Sequence, residues 1–178
     1  MIDQNFHEKV EAAHRRIQND VRYTPLQYSP TLSNQSNADV YLKLENFQVT
    51  GSFKVRGATN KTRILHDQGH RSIVTASSGN HGSAVANAAK TLGMDAMIFL
   101  PSTVSEAKLK KIQSLGAKVE LVGKDAGDAE IAARECAEKN NLPYLSPYND
   151  EDVMAGQGTI GIEILKEQEQ MDAVFIAV

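Results

Sequence analysis

One lysine of this sequence, Lys54, lies in a setting that an ordinary surface lysine does not require. The preceding residues 50–52 (TGS) predict a turn and a helix start, because a Ser hydroxyl can accept a hydrogen bond from an unpaired amide of the first turn and Gly tolerates the dihedral before it. In that first turn, the positive end of the helix dipole and the like charge of Arg56 favour the uncharged amine of Lys54. An uncharged lysine can act as a nucleophile or as a base.

A second group of polar residues, SSGNHG at 77–82, follows a predicted strand and precedes an alanine-rich helix. A strand, a tight polar loop and a helix N-terminus present several unpaired amides to one point, which suits an anion. Taken alone, the loop is equally consistent with a plain capped turn or with a nucleotide-binding loop. His81 could be a general base, but the residues alone favour a loop histidine with satisfied hydrogen bonds.

The stretch GSFKVRGA around Lys54 and SSGNHG at 77–82, in this order and at this separation, resemble the fold-type II family of pyridoxal-phosphate enzymes. The particular resemblance is to the threonine/serine dehydratase and serine racemase branch, and it runs from about Tyr23 to the last residue. It implies that Lys54 carries pyridoxal 5'-phosphate as a Schiff base, with Phe53 flanking the cofactor and Asn80 bonded to its ring oxygen. It also implies that the substrate carboxylate is held by one loop, namely Ser77, Ser78, Gly79, Asn80 and His81.

Ser78 bears on which reaction is catalysed. In the resembled branch, the position before the glycine is Ala in many threonine dehydratases and Ser in serine racemases and some related dehydratases. A catalytic Ser78 hydroxyl opposite Lys54 could return a proton to the far face of a carbanion, which is racemase chemistry. The equally weighted alternative is that Ser78 only caps the loop or binds the carboxylate, because an unassisted serine hydroxyl is a weak acid and a weak base.

The resemblance implies a threonine/serine-type ammonia-lyase, which converts a 3-hydroxy amino acid to a 2-oxo acid and ammonia. Racemisation of serine or a related amino acid is the alternative reaction. A third interpretation, from another class, is a non-catalytic fragment that lacks the loop for the cofactor phosphate. The resemblance also implies that the full-length protein is a homodimer.

The fold is predicted from a repeat of helix, glycine and strand. Gly69, Gly93 and Gly116 each follow a predicted helix, and they lie 24 and 23 residues apart. Each is followed by a short apolar or β-branched run, at 72–75, 96–100 and 117–122. This spacing is typical of βα units in an open, twisted parallel sheet with helices on both faces, and therefore of an α/β fold.

The resemblance places this α/β pattern in a two-lobed fold like that of the tryptophan synthase β-subunit. It implies a small domain over residues 72–149. Residues 1–71 and 150–178 would form part of a large domain that carries the cofactor, so that the second lobe is truncated.

Further elements are predicted from local patterns. Apolar residues at helical spacing predict an amphipathic helix over 5–18, and alternating residues predict a strand over 40–44 with Leu42 on a covered face. A helix over 126–140 precedes 142–145, which contains a proline and therefore suits an edge strand.

A final helix is predicted over 150–170 and contains Gly156, Gly158 and Gly161. Close packing against another backbone and a ligand approaching the backbone are equally weighted explanations for these glycines. The apolar run 173–178 predicts a buried parallel strand. In the resembled family, the phosphate-binding loop comes after this strand, so we expect an N-terminal portion of a longer enzyme that is inactive by itself.

The composition favours a globular protein, with 41% hydrophobic residues, 23% charged residues and a net charge of -3. There is no basic excess to attract nucleic acid or an anionic membrane surface. No apolar run approaches the roughly 20 residues that span a bilayer, and the polar N-terminus does not resemble a signal peptide, so a cytoplasmic location is expected. Cys136, the single cysteine, cannot form an internal disulfide. His66 and His70 lack further ligands, so no metal site is predicted.

Overall fold

The computed structural model describes residues 5–176, over which helices and short strands alternate. The helices are α1 (Phe6–Ile17), α2 (Pro30–Ser36), α3 (Lys54–Asp67), α4 (Asn80–Thr91), α5 (Glu106–Ser114), α6 (Ala126–Lys139) and α7 (Glu151–Glu167). The strands are β1 (Leu26–Tyr28), β2 (Tyr41–Lys43), β3 (Ser72–Ala76), β4 (Asp95–Leu100) and β5 (Lys118–Leu121). A 3-10 turn, Glu45–Phe47, precedes α3.

The three strands β3, β4 and β5 form a parallel sheet in that order. Helix α4 connects β3 to β4, and helix α5 connects β4 to β5. Gly69, Gly93 and Gly116, where the predicted helices end, have φ angles of +93°, +64° and +86°. Glycine adopts such angles without strain, and for that reason it ends helices. The predicted βα units are confirmed.

Both faces of this sheet are covered by helices. Ile73 and Ile98 are buried in a cluster that includes Val85 of α4. Their chain neighbours Val74 and Phe99 are buried in a second cluster with the alanines of α6. Because successive side chains of a strand point to opposite faces, this alternation confirms the prediction of helices on both faces.

The segment that contains Pro143 lies along the free edge of β3. The amide of Val74 donates to the Pro143 carbonyl at 3.0 Å, and the amide of Leu145 donates to the Val74 carbonyl at 2.8 Å. Tyr144 forms a single parallel bridge with Val74. Proline has no amide hydrogen to donate, so an edge is where it is tolerated.

Helices α1, α3 and α7 pack together beside the sheet, and glycines allow their close approach. A Cβ atom on Gly156 would lie 2.6 Å from the Cα atom of Gly57 in α3. A Cβ atom on Gly158 would lie 2.9 Å from a methyl group of Val10 in α1, whereas one on Gly161 would meet nothing within 4 Å. Close packing against another backbone, one of the two explanations that the sequence left open, therefore accounts for Gly156, whereas Gly158 packs against a side chain and Gly161 has no such contact.

Strands β1 and β2 pair antiparallel, which confirms a strand near residues 40–44. The predicted covered face is wrong, because Leu42 is 40% exposed. The side chain of Lys43 is instead 8% exposed and reaches the carboxylate of Glu163 at 2.7 Å. An ion pair between the strand and α7 thus buries the side chain of Lys43, whereas Tyr41 on the same side of the strand is 43% exposed.

The prediction of a buried strand at the end of the chain is also wrong for the residues that the structure describes. Residues 173–176 form no strand, and Phe175 is 96% exposed. A parallel strand requires a neighbour to share its hydrogen bonds, and no described strand pairs with this run. The last part of the prediction, residues 177–178, lies outside the described range.

Candidate functional site

Lys54 is the first residue of α3. The loop before it turns at Gly51, which has a φ of +80°, and the amide of Lys54 donates to the Ser52 hydroxyl at 3.2 Å. The predicted turn is confirmed, and the Ser52 hydroxyl accepts from a first-turn amide as predicted. The N-cap position of α3 is Phe53, however, which makes no side-chain cap bond, so the predicted cap at Ser52 is displaced by one residue. The consequence is that Lys54 lies at the N-terminus of α3, where the helix dipole is positive.

The amine of Lys54 is directed toward protein groups. Its Nζ donates to the Pro147 carbonyl at 3.4 Å and lies 5.0 Å from the centre of the Phe53 ring. Both Lys54 and Phe53 are half-buried. Leu145, two residues before Pro147, is hydrogen-bonded to Val74 and Thr75 of β3, so the segment that borders β3 leads directly to the carbonyl that accepts from Lys54.

The predicted anion loop connects β3 to α4, and its local structure is fixed by backbone contacts. The amide of Gly79 donates to the Ser77 hydroxyl at 3.3 Å, and the amide of Ser83 donates to the Gly79 carbonyl at 3.3 Å. A Cβ atom on Gly82 would collide with the Ser77 carbonyl, so the helix packs directly on the loop. The amides of the first turn of α4 have no acceptor within the helix and can bind an anion.

His81 is the most buried side chain of this loop, with 3% exposure. Its Nε2 lies 3.3 Å from the Leu145 carbonyl, which can only accept, so we assign the ring proton to Nε2. Nδ1 is then an acceptor, and it has no partner among residues 5–176. Burial, with a smaller contribution from the positive charge of Lys54, lowers the pKa of His81 to about 4 against the opposing hydrogen bond to Leu145.

The predicted site residues differ in how far they are buried. The ring of His81 is neutral at neutral pH, so it offers a hydrogen-bond acceptor rather than a positive charge to a substrate. Asn80 is exposed and Ser78 is half-buried. Within the described part of the chain, neither side chain has a hydrogen-bond partner, so both are available to a ligand.

Arg56 does not contribute the unpaired like charge that the sequence suggested beside Lys54. Its side chain is fully buried, at 0% exposure, and it forms ion pairs with Glu45 at 2.7 Å and Glu163 at 2.6 Å. The expected repulsion of Lys54 by Arg56 is wrong, because the two carboxylates, which lie far apart in sequence, neutralise the guanidinium charge.

Two sets of groups at this site were not predicted from the sequence. The carbonyls of Leu145 and Pro147 contact His81 and Lys54, but a backbone carbonyl has no signal in a sequence. The partners of Arg56, Glu45 and Glu163, were also missed. The structure buries Glu163 on α7 beside Gly156 and Thr159, and a buried carboxylate requires a partner.

The other chemically reactive side chains lie elsewhere. Cys136 in α6 contacts the sulfur of Met97 at 3.7 Å. Over residues 5–176, no three His, Cys, Asp or Glu side chains form a group that could hold a metal ion. In the same range, no helix is long and apolar enough to cross a membrane.

The residues present fit a cofactor that carries an aldehyde and an aromatic ring. The half-buried amine of Lys54 beside the Phe53 ring supplies an amine and an apolar contact. The buried Nδ1 of His81 supplies an acceptor without a partner in the described range. The amides at the start of α4 suit an anionic group. Together they fit the aldehyde and ring of a pyridine aldehyde and the anionic group of an amino-acid substrate.

Comparison with known proteins gives a consistent result. Residues 17–178 match the family model described as pyridoxal-phosphate dependent enzyme. The chain is 44% identical over 171 residues to the catabolic L-threonine dehydratase TdcB of Staphylococcus aureus strain USA300, which covers 95% of this chain and 49% of that protein. The chain thus spans about half the length of the curated relatives it matches.

Solved structures agree with the predicted fold class. The processed form of threonine deaminase isoform 2 from Solanum lycopersicum superposes with a TM-score of 0.88 at 33% identity, over 94% of this chain and 47% of that one. Maize serine racemase superposes with a TM-score of 0.87 at 30% identity, over 93% of this chain and 50% of that one. The prediction of a fold-type II α/β fold is confirmed.

Proposed function

Because the chain belongs to the pyridoxal-phosphate dependent enzyme family, we propose that the full-length protein is an ammonia-lyase that converts threonine or serine to a 2-oxo acid and ammonia. The observation that carries the proposal is the placement of the Lys54 amine, half-buried between the Phe53 ring and the Pro147 carbonyl. The choice of a hydroxy amino acid as substrate rests on the 44% identity to an L-threonine dehydratase.

The residues of this chain have distinct roles in the proposal. Lys54 would hold the aldehyde of the cofactor, Phe53 would flank its ring and Asn80 would bind its ring oxygen. When bound, pyridoxal phosphate supplies an electron sink that lowers the cost of removing the α-proton of an amino acid. Nζ of Lys54, as a free amine, would accept that proton.

The loop of residues 77–81 would orient the substrate. Its amides at the start of α4 would hold the carboxylate, and the loss of the 3-hydroxyl group would follow removal of the α-proton. His81 would offer its buried Nδ1 to the substrate as an uncharged hydrogen-bond acceptor, since its ring carries no charge at neutral pH. Holding the reacting groups close together and correctly oriented is the protein's main contribution to the rate.

Amino-acid racemisation is the second candidate. It is favoured by the similarity to maize serine racemase and by the Ser78 hydroxyl, which has no hydrogen-bond partner within residues 5–176. In this reaction Ser78 would deliver a proton to the face opposite Lys54. Replacing Ser78 with Ala tests the assignment, because unchanged interconversion of D- and L-serine would exclude Ser78 as the proton donor.

The organisation of the whole protein is part of the same proposal. Residues 72–149 would form the small domain, and residues 1–71 and 150–178 would form part of the large domain that carries the cofactor. The homodimer and the cytoplasmic location remain predictions from the sequence and its family.

The decisive experiment uses the full-length protein. We expect borohydride reduction in the presence of pyridoxal phosphate to label Lys54, and we expect the unmodified enzyme to form 2-oxo acids from threonine and serine. Lys54→Ala should abolish both the label and the product. Lys90→Ala, which changes an exposed lysine of α4, is the control and should change neither. Full production of 2-oxo acid by Lys54→Ala would exclude the proposed mechanism.

A further inference from the structure

Arg56 is bound on all sides by oxygen atoms. Its Nε and Nη2 donate to the two carboxylate oxygens of Glu45 at 2.9 and 2.7 Å. Its Nη1 and Nη2 donate to the two carboxylate oxygens of Glu163 at 2.6 and 2.9 Å. Nη1 also donates to the Thr159 hydroxyl at 3.2 Å. Two bidentate pairs on one guanidinium fix its position and its plane.

A second cation joins this network. Lys43 lies 2.7 Å from Glu163 and 3.9 Å from Glu167, so that Arg56 and Lys43 face Glu45 and Glu163, with Glu167 at longer range. Burial opposes ionisation of Glu163, but the hydrogen bonds from Arg56 and Lys43 lower its pKa below the ordinary value. The carboxylate is therefore charged at neutral pH. Removing one member of such a buried set leaves the others without compensation.

The network is attached to the same helical turn that carries Lys54. Arg56 follows Lys54 by two positions in α3. The next residue, Gly57, donates its amide to the Oε1 atom of Gln157 at 3.1 Å. The backbone of Gly57 also touches that of Gly156, as the 2.6 Å separation from a hypothetical Cβ shows. Helix α7 therefore holds the first turn of α3 through an ion pair, an amide acceptor and a backbone contact.

A second ion pair between the same helices provides a comparison. Lys61 binds Asp150 at 3.0 Å and Asp152 at 2.8 Å, seven residues after Lys54 in the chain. This pair is more exposed, with 19% for Lys61 and 37% for Asp152. It joins α3 to α7 but does not contact the first turn of α3. The Lys61 ion pair therefore represents a contact that holds the two helices together without acting on the turn that carries Lys54.

We propose that Glu163 and Gln157 are positioning residues that act on Lys54 through Arg56 and Gly57. Helix α7 fixes the first turn of α3 and thereby sets the place of the Lys54 amine relative to the cofactor. This inference rests on the proposed function, since it assumes that Lys54 holds pyridoxal phosphate.

The test compares Glu163→Gln with Asp152→Asn in the full-length holoenzyme. Both changes replace a carboxylate with an amide of the same shape in an α3–α7 ion pair. Three quantities are measured: the unfolding midpoint, the pH midpoint at which the absorbance of the Lys54-bound cofactor changes, and kcat and KM for threonine. The pH midpoint of the absorbance change does not depend on turnover.

We expect Glu163→Gln to lower kcat by about 10- to 100-fold with KM within about twofold, because a displacement of about 1 Å at a reacting group can cost that much. The pH midpoint of the absorbance change should shift in the same variant. Asp152→Asn should leave the pH midpoint of the absorbance change unshifted. Its kcat should stay within about twofold of that of the unchanged enzyme. Equal effects of the two substitutions, or a change in the unfolding midpoint alone for Glu163→Gln, would overturn the inference.

If Glu163→Gln fails to fold, a second variant tests whether α7 positions Lys54. Gln157→Met removes the acceptor of the Gly57 amide and keeps the length of the side chain. It should lower kcat and shift the absorbance midpoint in the same direction, and an unchanged kcat and midpoint would overturn the inference. The proposed function fails separately: a wild-type enzyme that is labelled at Lys54 but forms no 2-oxo acid refutes the lyase activity and still permits the absorbance test. Absence of the label refutes both.

Discussion

The contact between Gly156 and α3 leads to a quantitative prediction for stability. In Gly156→Ala, the new Cβ atom would lie 2.6 Å from the Cα atom of Gly57 and 2.7 Å from the Arg56 carbonyl oxygen. Both are backbone atoms, which cannot rotate away as a side chain can, so helices α3 and α7 must separate. Overpacking of this kind costs about 1–3 kcal/mol.

The helix propensity of alanine works in the opposite direction. Replacing glycine with alanine inside a helix gains about 1 kcal/mol. Gly161 lies in the same helix, and its hypothetical Cβ meets nothing within 4 Å, so Gly161→Ala measures the propensity term by itself. We expect Gly161→Ala to raise the free energy of unfolding by about 1 kcal/mol and Gly156→Ala to lower it by up to about 2 kcal/mol.

Denaturant unfolding of the full-length protein and its two variants measures the difference. A midpoint that rises in Gly161→Ala and falls in Gly156→Ala supports the contact. If Gly156→Ala is as stable as Gly161→Ala, the backbones of α3 and α7 are not in contact, and the reasoning about the first turn of α3 is refuted. Retention of the cofactor, measured by dialysis, should fall only in Gly156→Ala, because only that change moves the turn that carries Lys54.

Three further predictions concern single side chains. Burial lowers the pKa of His81 from 6.5 to about 4, so between these values the unfolded chain binds a proton that the folded chain does not, and stability falls as the pH decreases. Urea unfolding at about pH 7 and about pH 4.5 should show that His81→Gln removes about 2 kcal/mol of this pH dependence, and an unchanged dependence would contradict it. Asp125 accepts hydrogen bonds from two amides at the start of α6, at 2.8 and 3.0 Å, so Asp125→Ala should lower the free energy of unfolding by about 1 kcal/mol. Ser105 precedes α5 without a side-chain cap bond, so Ser105→Ala is the matched control, and an equal loss in both would contradict the capping argument. Arg56→Met should reduce both the unfolding midpoint and the occupancy of the cofactor, measured from its absorbance, because it removes the cation paired with the partly exposed Glu45 and the buried Glu163; unchanged stability would show that the network is not formed.

Local patterns predicted most of the secondary structure because they depend on few neighbouring residues. Each of the glycines Gly69, Gly93 and Gly116 marks a helix end by the conformation of one residue. The short apolar or β-branched runs after these glycines likewise predicted the parallel strands, whose two faces are both covered. The strand predicted at 173–178 from a similar apolar run is not formed in the described residues, because such a run cannot supply a neighbouring strand.

At the candidate site, the sequence by itself determined the identity of the amine and the loop. Lys54 after a glycine turn, and a polar loop before α4, were sufficient to predict both positions and the family that the comparisons then showed. The sequence favoured a loop histidine with satisfied hydrogen bonds, but Nδ1 of His81 has no partner within residues 5–176, and the tautomer depends on the Leu145 carbonyl.

Only the tertiary structure decided what surrounds that amine. Arg56 was expected to repel Lys54, but Glu163, 107 residues later in the chain, neutralises it. The carbonyl of Pro147, 93 residues from Lys54, accepts a hydrogen bond from the amine. The physical reason is that electrostatic partners are chosen by distance in space, which the fold sets, whereas turns, caps and helix ends are chosen by dihedral angles that a few adjacent residues set.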